Sequence, residues 1–198
     1  MRKENKKSWF DVSLQQFKEL QKIEEEITDI DELATRRMSV VLGEDVEQLT
    51  IPEFVEKTKD CEFLATPIPT VKVKQKYTIN GRCYVAHLNP FEMSMGQYID
   101  FKSMQGNNAD WEQLLTIFLI PDGHQYNDGY DLEKAKSDFL CLAIPDVLAI
   151  ANFFFRLTIK YRKIIRHSLK RMLKKQAGNK EIKKSMEQIM EQITLFTV

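Results

Sequence analysis

Residues 70–88 read TVKVKQKYTINGRCYVAHL, and this stretch decides the fold class. Two runs of alternating character flank the pair Asn80-Gly81. Alternation with a period of two is typical of β-strands, and Asn-Gly is a strong hairpin signal because both central residues of a type I′ turn need positive φ. The sequence therefore predicts one β-hairpin at about residues 71–88. A two-stranded ribbon alone is marginal in water, so it must lie on other elements or pair with another edge.

The chain around this ribbon has the period of helices. Apolar residues recur at three- and four-residue spacing, and residues that suit helix N-caps precede these runs. The cap residues are Ser13, Asp29, Thr50, Ser94 and Asp131. The run WEQLLTIFLI (111–120) predicts an apolar helix that Pro121 ends. We therefore expect a mainly α (α+β) protein: a multi-helix domain with one β-hairpin.

The C-terminal third predicts a long helix pair. Pro145 suits the first turn of the longest helix, at about 145–176, and a last helix follows at about 180–195. We expect three parts of the chain in order. They are a basic flexible N-terminus (1–10), a single mainly helical domain with the hairpin (11–176) and a C-terminal helical extension (177–198).

The cysteines and the apolar stretches indicate in which cellular compartment the protein is expected. Three cysteines are widely spaced and form no CxxC pair, which favours a reducing compartment. The basic N-terminus has no apolar run behind it, so no secretory signal is visible. The apolar stretch 139–159 is interrupted by Asp146 and Arg156 and favours a buried helix over a membrane span.

The charge is balanced overall but unevenly distributed. Residues 19–62 carry fourteen acidic and five basic side chains, a net charge of −9. Residues 156–198 carry twelve basic and three acidic side chains, a net charge of +9. Such polarity is typical of contacts between oppositely charged surfaces, within one molecule or between copies. Solvated helix faces explain the same pattern equally well.

No pattern indicates catalysis. The seven glycines form no GxG pair, and the three histidines lie far apart with no metal-binding spacing. We therefore expect no enzymatic activity, no cofactor and no metal.

The basic stretch 156–175 is a candidate partner-binding face. It carries nine Lys and Arg residues and no acid. At helical spacing one solvent-facing arc collects Arg156, Lys160, Lys163, His167, Lys170 and Lys174. Nucleic-acid binding through this helix is an alternative function, although its polar arc has no aromatic residue for stacking on bases.

The order of elements resembles a known class of proteins. An acidic helical N-terminal part containing DVSLQQFKEL (11–20) precedes the hairpin YTINGRCYVAHL (77–88) and a helix reading MSMGQYIDF (93–101). An apolar helix ending in Pro and a long helix containing consecutive phenylalanines follow. Over about residues 10–165 this resembles small proteins from the virion modules of tailed bacteriophages, including tail-assembly chaperone-like proteins.

The resemblance implies an assembly role without a reaction. We expect the protein in the host-cell cytoplasm, with the virion as a second location, and in no membrane. Its expected partners are other virion or assembly proteins or further copies of the same chain. The hairpin is the candidate docking element because an exposed strand edge can accept another strand. Its residues are Lys72, Lys74, Lys76, Asn80, Gly81 and Arg82. The basic side chains would keep the edge soluble until a partner arrives.

Overall fold

The computed structural model describes residues 7–89, 93–104 and 110–157, and it confirms a mainly α protein with a small antiparallel sheet. The helices are α1 (Leu14–Glu26), α2 (Ile30–Leu42), α3 (Ile51–Cys61), α4 (Met95–Met104), α5 (Trp111–Phe118), α6 (Leu132–Phe139) and α7, described over 144–157. The strands are β1 (Lys76–Ile79), β2 (Arg82–Ala86) and β3 (Leu119–Pro121). The chain divides into two units, Met1–Ala151 and Asn152–Val198. All sites described below lie in the first unit.

Local sequence determines where several helices begin. The Ser13 hydroxyl accepts from the Gln16 N–H at 3.2 Å, and the Gln16 side chain accepts from the Ser13 N–H at 3.0 Å. Ser94 and Gln97 repeat this reciprocal capping with bonds of 2.9 and 3.1 Å. Each pair satisfies two donors that a helix leaves without an internal partner. The predicted cap residues therefore begin the helices as the sequence indicates.

The hairpin turns at Asn80-Gly81, where φ is 49° and 76° respectively. Positive φ at both central residues defines the type I′ turn, whose twist matches that of the flanking strands. The strands are shorter than the predicted range of 71–88, because β1 begins at Lys76. Tyr77 lies opposite Tyr84, and Ile79 lies opposite Arg82. The turn prediction is confirmed at both residues.

One prediction about α5 is wrong. The helix expected over 111–120 ends at Phe118, and Leu119–Pro121 continue as a strand that pairs with β2. The sheet is therefore three-stranded with the order β1-β2-β3, where the sequence predicted two strands that needed either a packing surface or another edge. Short apolar runs suit a buried helix and a buried strand equally well, and here β2 supplies the partner edge. Pairing with β3 provides the support that the ribbon needed.

The sheet packs on α6 and contributes to the core. Tyr84 and Phe139 are both fully buried, and their rings meet edge to face with centroids 4.9 Å apart. Such pairs contribute about 0.5–1.5 kcal/mol beyond the area that they bury. On the outside of β1, Lys76 and Thr78 are exposed. One face of the hairpin is thus core and the other is surface.

The predictions for the two ends of the chain have different outcomes. We expected residues 1–10 to be flexible, but Trp9 is only 7% exposed and donates its indole N–H to the Thr66 carbonyl at 3.0 Å. A flexible N-terminus would therefore end before Trp9. The longest helix begins at residue 144, beside the predicted Pro145, and Phe154 on it is buried. Its predicted end at 176, the helix at 180–195 and the extension 177–198 lie outside the described residues.

We predict that Gly81→Ala lowers the free energy of unfolding by about 1–2 kcal/mol. No atom lies within 4 Å of a Cβ built at Gly81, so the cost comes from placing an L-residue at a φ of 76°. Gly96→Ala is the matched control, because Gly96 lies in α4 without positive φ and its new Cβ would make ordinary contacts at 3.7 Å. This control should leave stability unchanged or raise it by up to ~1 kcal/mol. Urea unfolding of both variants measures the difference, and equal stability changes would contradict the turn geometry.

Candidate functional site

The tip of the hairpin is bound to α6 through one buried carboxylate. Asp138 is 4% exposed and lies near the end of α6. The Asn80 amide donates to its Oδ1 at 2.9 Å, and the Tyr84 hydroxyl donates to its Oδ2 at 2.6 Å. The Arg82 guanidinium lies 3.9 Å from the same Oδ2. Two predicted docking residues, Asn80 and Arg82, therefore contact the body of the protein.

These contacts determine the protonation states of Asp138 and of the hairpin residues around it, which together we call the cluster. Burial alone would raise the pKa of Asp138, but the hydrogen bonds from Tyr84 and Asn80 and the charge of Arg82 outweigh it, and the pKa lies below its usual value. Burial and the bond to Asp138 raise the pKa of Tyr84 to about 12. At neutral pH the cluster is thus a carboxylate with two neutral donors and one cation nearby.

The lysines of the ribbon also have internal partners. The Lys74 ammonium lies 2.8 Å from Asp146 Oδ2, and the Lys76 ammonium lies 2.8 Å from Asp122 Oδ2. The hydrogen bond to Asp122 raises the pKa of Lys76. Lys72 is exposed and makes no ion pair with any residue that the structure describes. The ribbon therefore presents less free positive charge than its sequence indicates.

The outer edge of β1 is open. Ile79 and Arg82 flank a two-residue turn and form a hydrogen-bonded pair, so the alternation of antiparallel ladders makes Tyr77 and Tyr84 the next such pair. The bond from the Ala86 N–H to the Gln75 carbonyl, 2.8 Å long, continues this alternation. The main-chain groups of Lys76 and Thr78 consequently point away from β2. Across the described ranges 7–89, 93–104 and 110–157, β1 pairs with β2 alone.

The residues directly before β1 are held in place by contacts with Tyr77. Residues 67–74 form no helix or strand, although the Lys74 N–H donates to the Tyr77 hydroxyl at 2.9 Å. Burial raises the pKa of Tyr77 to about 12, so this hydroxyl stays neutral. Tyr77 is itself buried and also has the Lys74 ammonium 5.7 Å from its ring centroid. The lead into β1 is thus held in place before the open edge begins. We call Lys76 to Ile79, with this open side, the β1 edge.

The predicted basic face lies mostly outside the described residues. Arg156 is exposed, whereas Lys160, Lys163, His167, Lys170 and Lys174 are not described. Nothing in the structure therefore tests that arc.

Sequence reasoning missed the acidic partners of the ribbon. Asp122, Asp138 and Asp146 lie 46, 58 and 72 residues from the hairpin residues that they bind. Only the helical position of Asp138 beside apolar Phe139 hinted at burial.

Within the described ranges, no group of three or more His, Cys, Asp or Glu side chains is placed to hold a metal ion. Among the helices formed by those residues, none has the length and apolar character to cross a bilayer.

Comparisons with known proteins give no relative. No family model, no curated protein and no solved structure matches the chain.

We predict that Asp138→Asn destabilises the protein by about 1.5–3 kcal/mol, the range for hydrogen bonds to a charged group. If the amide oxygen accepts from Asn80, the NH₂ group can only donate to the Tyr84 hydroxyl oxygen, so the charge-assisted bond from Tyr84 and the attraction to Arg82 are lost. Asp122→Asn is the control, because its pair with Lys76 is solvent-exposed and should contribute little. Urea unfolding at neutral pH measures both. Similar losses in the two variants would contradict a special role for Asp138.

The difference in stability between the wild type and Asp138→Asn should depend on pH. The folded-state pKa of Asp138 lies below its unfolded value, so its stabilisation is complete above about pH 4, near the ordinary pKa of Asp. It should be lost as the pH falls through the folded-state pKa. The stability gap between wild type and Asp138→Asn should therefore be constant from neutral pH down to about pH 5 and shrink below about pH 4. A gap that shrinks between pH 8 and 6 would point to another group.

Proposed function

We propose that this protein is a non-enzymatic assembly factor that binds another protein by adding a strand to the β1 edge. The observation that carries the proposal is a strand edge left open on a hairpin whose tip, inner face and far side are bound to the rest of the protein. Strand addition gains affinity from main-chain hydrogen bonds, and pockets or charges for alternate side chains give specificity. Lys76 and Thr78 supply the main-chain donors and acceptors.

The anchoring of the hairpin supports this proposal. An edge that must be ordered on binding costs conformational entropy, whereas a preorganised edge avoids that cost. The tip is held by Asp138, the inner face by Tyr84 on Phe139, and the far side by β3. A partner strand would therefore meet an edge that is already in the required conformation.

The charge of the edge narrows the class of partner. Lys74 and Lys76 are paired with Asp146 and Asp122, so among the described residues Lys72, just before the strand, is the lysine left for a partner, and like charges directly opposite each other destabilise strand pairs. A second copy of the same edge would bring the same unpaired lysine. The better partner is a different protein with an extended segment carrying acidic residues. The resemblance to virion-module proteins of tailed bacteriophages implies that this partner is another virion or assembly protein.

We predict that Thr78→Pro weakens capture of this partner by about tenfold, whereas Thr78→Ala does not. Proline removes one outward N–H donor, which is worth up to about 1.4 kcal/mol or a factor of ten, and its ring obstructs an incoming strand. The ladder with β2 does not use this N–H, so Thr78→Pro should still fold. Thr78→Ala keeps the donor and removes only the side chain.

The experiment is co-expression with each product of the neighbouring genes, followed by affinity capture and light scattering. Equal capture by both variants would overturn strand addition. Failure of the wild type to capture any neighbour at low or physiological salt would overturn the assembly role. If the protein instead binds random-sequence duplex DNA at physiological salt and captures no protein, the basic stretch 156–175 and a nucleic-acid role take its place.

A further inference from the structure

A second surface lies between α1 and α2, away from the sheet. These helices pack side by side and leave an open cleft of about 590 Å³ along one flank. Glu19, Ile23 and Glu26 recur at helical spacing on α1 and line one wall together with Ile27, the residue directly after the helix. Glu32 and Val40 line the other wall on α2. We call this cleft the α1–α2 groove.

The groove is apolar at its base and acidic at its rim. Ile23, Ile27 and Val40 are half-buried, whereas Glu19, Glu26 and Glu32 are exposed. Five acids and one base, Arg36, belong to the lining. This combination is the complement of an amphipathic helix with apolar residues on one face and basic residues beside them.

Several charged residues of the rim already form ion pairs within the protein, so a partner would bind the carboxylates that do not. Arg36 lies 3.7 Å from Glu47, and Glu44 lies 2.7 Å from Lys57. Glu26 has Lys22 at 3.8 Å. Glu19 and Glu32 form no ion pair with the residues that the structure describes, and they lie on opposite walls. A basic side chain could therefore pair with an unused carboxylate on each side of the groove.

The dimensions fit a helix. The helical part of the α1 wall, from Glu19 to Glu26, covers seven helical steps, about 10 Å at 1.5 Å per residue. That is about two turns, enough for apolar positions i, i+3, i+4 and i+7 of a partner helix. Two packed helices present a groove between their ridges in which a third helix can lie. An extended segment would leave its main-chain groups facing Ile23 and Val40 without hydrogen-bond partners.

We infer that the α1–α2 groove binds a basic amphipathic helix contributed by another protein. The charge complementarity of the rim and the apolar base determine this choice of occupant. The site is independent of the β1 edge and does not rest on strand addition. It gives the protein a second interaction surface with a partner of different chemistry.

The probe is a synthetic amphipathic helical peptide of Lys and Leu about 18 residues long, since shorter helices are marginal in water. Two further peptides are controls: a scrambled sequence of equal composition and a version with Glu in place of Lys. Binding is measured by fluorescence anisotropy at low and physiological salt. Backbone chemical shifts of the labelled protein locate the site. We expect binding of the amphipathic basic peptide only, with shifts concentrated around Ile23, Ile27 and Val40.

Two double variants of the protein distinguish binding in the groove from a general attraction to acidic surface. The double variant Glu19→Gln with Glu32→Gln should weaken binding about fivefold at low salt, the combined effect of two exposed ion pairs. The control is Glu25→Gln with Glu56→Gln, which removes the same charge from exposed positions outside the groove lining. Thermal melting checks that both variants fold. The control should bind as the wild type does.

Several results would overturn this inference. Equal losses in the two double variants, or equal binding of the scrambled peptide, would mean that only overall charge attracts the peptide. Shifts confined to other surfaces would exclude the groove. No binding of the basic amphipathic peptide at low salt would also exclude it. Because Thr78→Pro leaves the groove untouched, its peptide affinity should equal that of the wild type even if strand addition fails.

Discussion

The Asp138 carboxylate is the constraint on which the presented surface depends. A buried carboxylate is costly unless hydrogen bonds and charge compensate for lost hydration. Here the compensation comes mainly from the hairpin, through Asn80 in the turn and through Tyr84 and Arg82 on the return strand, and the charge of Lys134 on α6 adds to it. The three hairpin residues lie on both sides of Gly81, so the carboxylate attaches both sides of the turn to α6. Orienting the hairpin on α6 in this way directs the β1 edge outward.

How much the sequence could predict follows from the range of each interaction. Helix caps such as Ser13 with Gln16, and the turn at Asn80-Gly81, depend on neighbours within four residues and were correctly predicted. The strand Leu119–Pro121 depends on β2, more than thirty residues earlier, and the apolar run WEQLLTIFLI carries no local sign of where helix gives way to strand. The same limit applies to the candidate site. The sequence indicates the basic residues of the hairpin, but it does not indicate which distant acidic residues they bind. Pairing across such separations is a property of the fold rather than of any local pattern.

The charge counts illustrate the same limit. The ribbon has four basic side chains in the sequence, yet Lys74, Lys76 and Arg82 each lie near an acid of the protein itself. In the acidic segment 19–62, Glu24 lies near Arg37 and Glu44 near Lys57, and the net charge of −9 already counts both cations. The number of like-charged side chains in a segment therefore overestimates the unpaired charge that a partner meets. At the two proposed surfaces, the charged side chains without an ion pair among the described residues include Lys72 on one and Glu19 and Glu32 on the other.

The two proposed surfaces rely on different forces, and ionic strength distinguishes them. A strand added at the β1 edge gains mostly from main-chain hydrogen bonds, which do not depend on screening by salt. A basic helix in the α1–α2 groove gains from exposed ion pairs, which are screened beyond about 8 Å at physiological salt, and from the burial of Ile23, Ile27 and Val40. Raising salt should therefore reduce groove binding to its apolar part while leaving the edge nearly unaffected. A protein with both surfaces could hold one partner firmly through the sheet and exchange another at the groove, as successive steps of an assembly require.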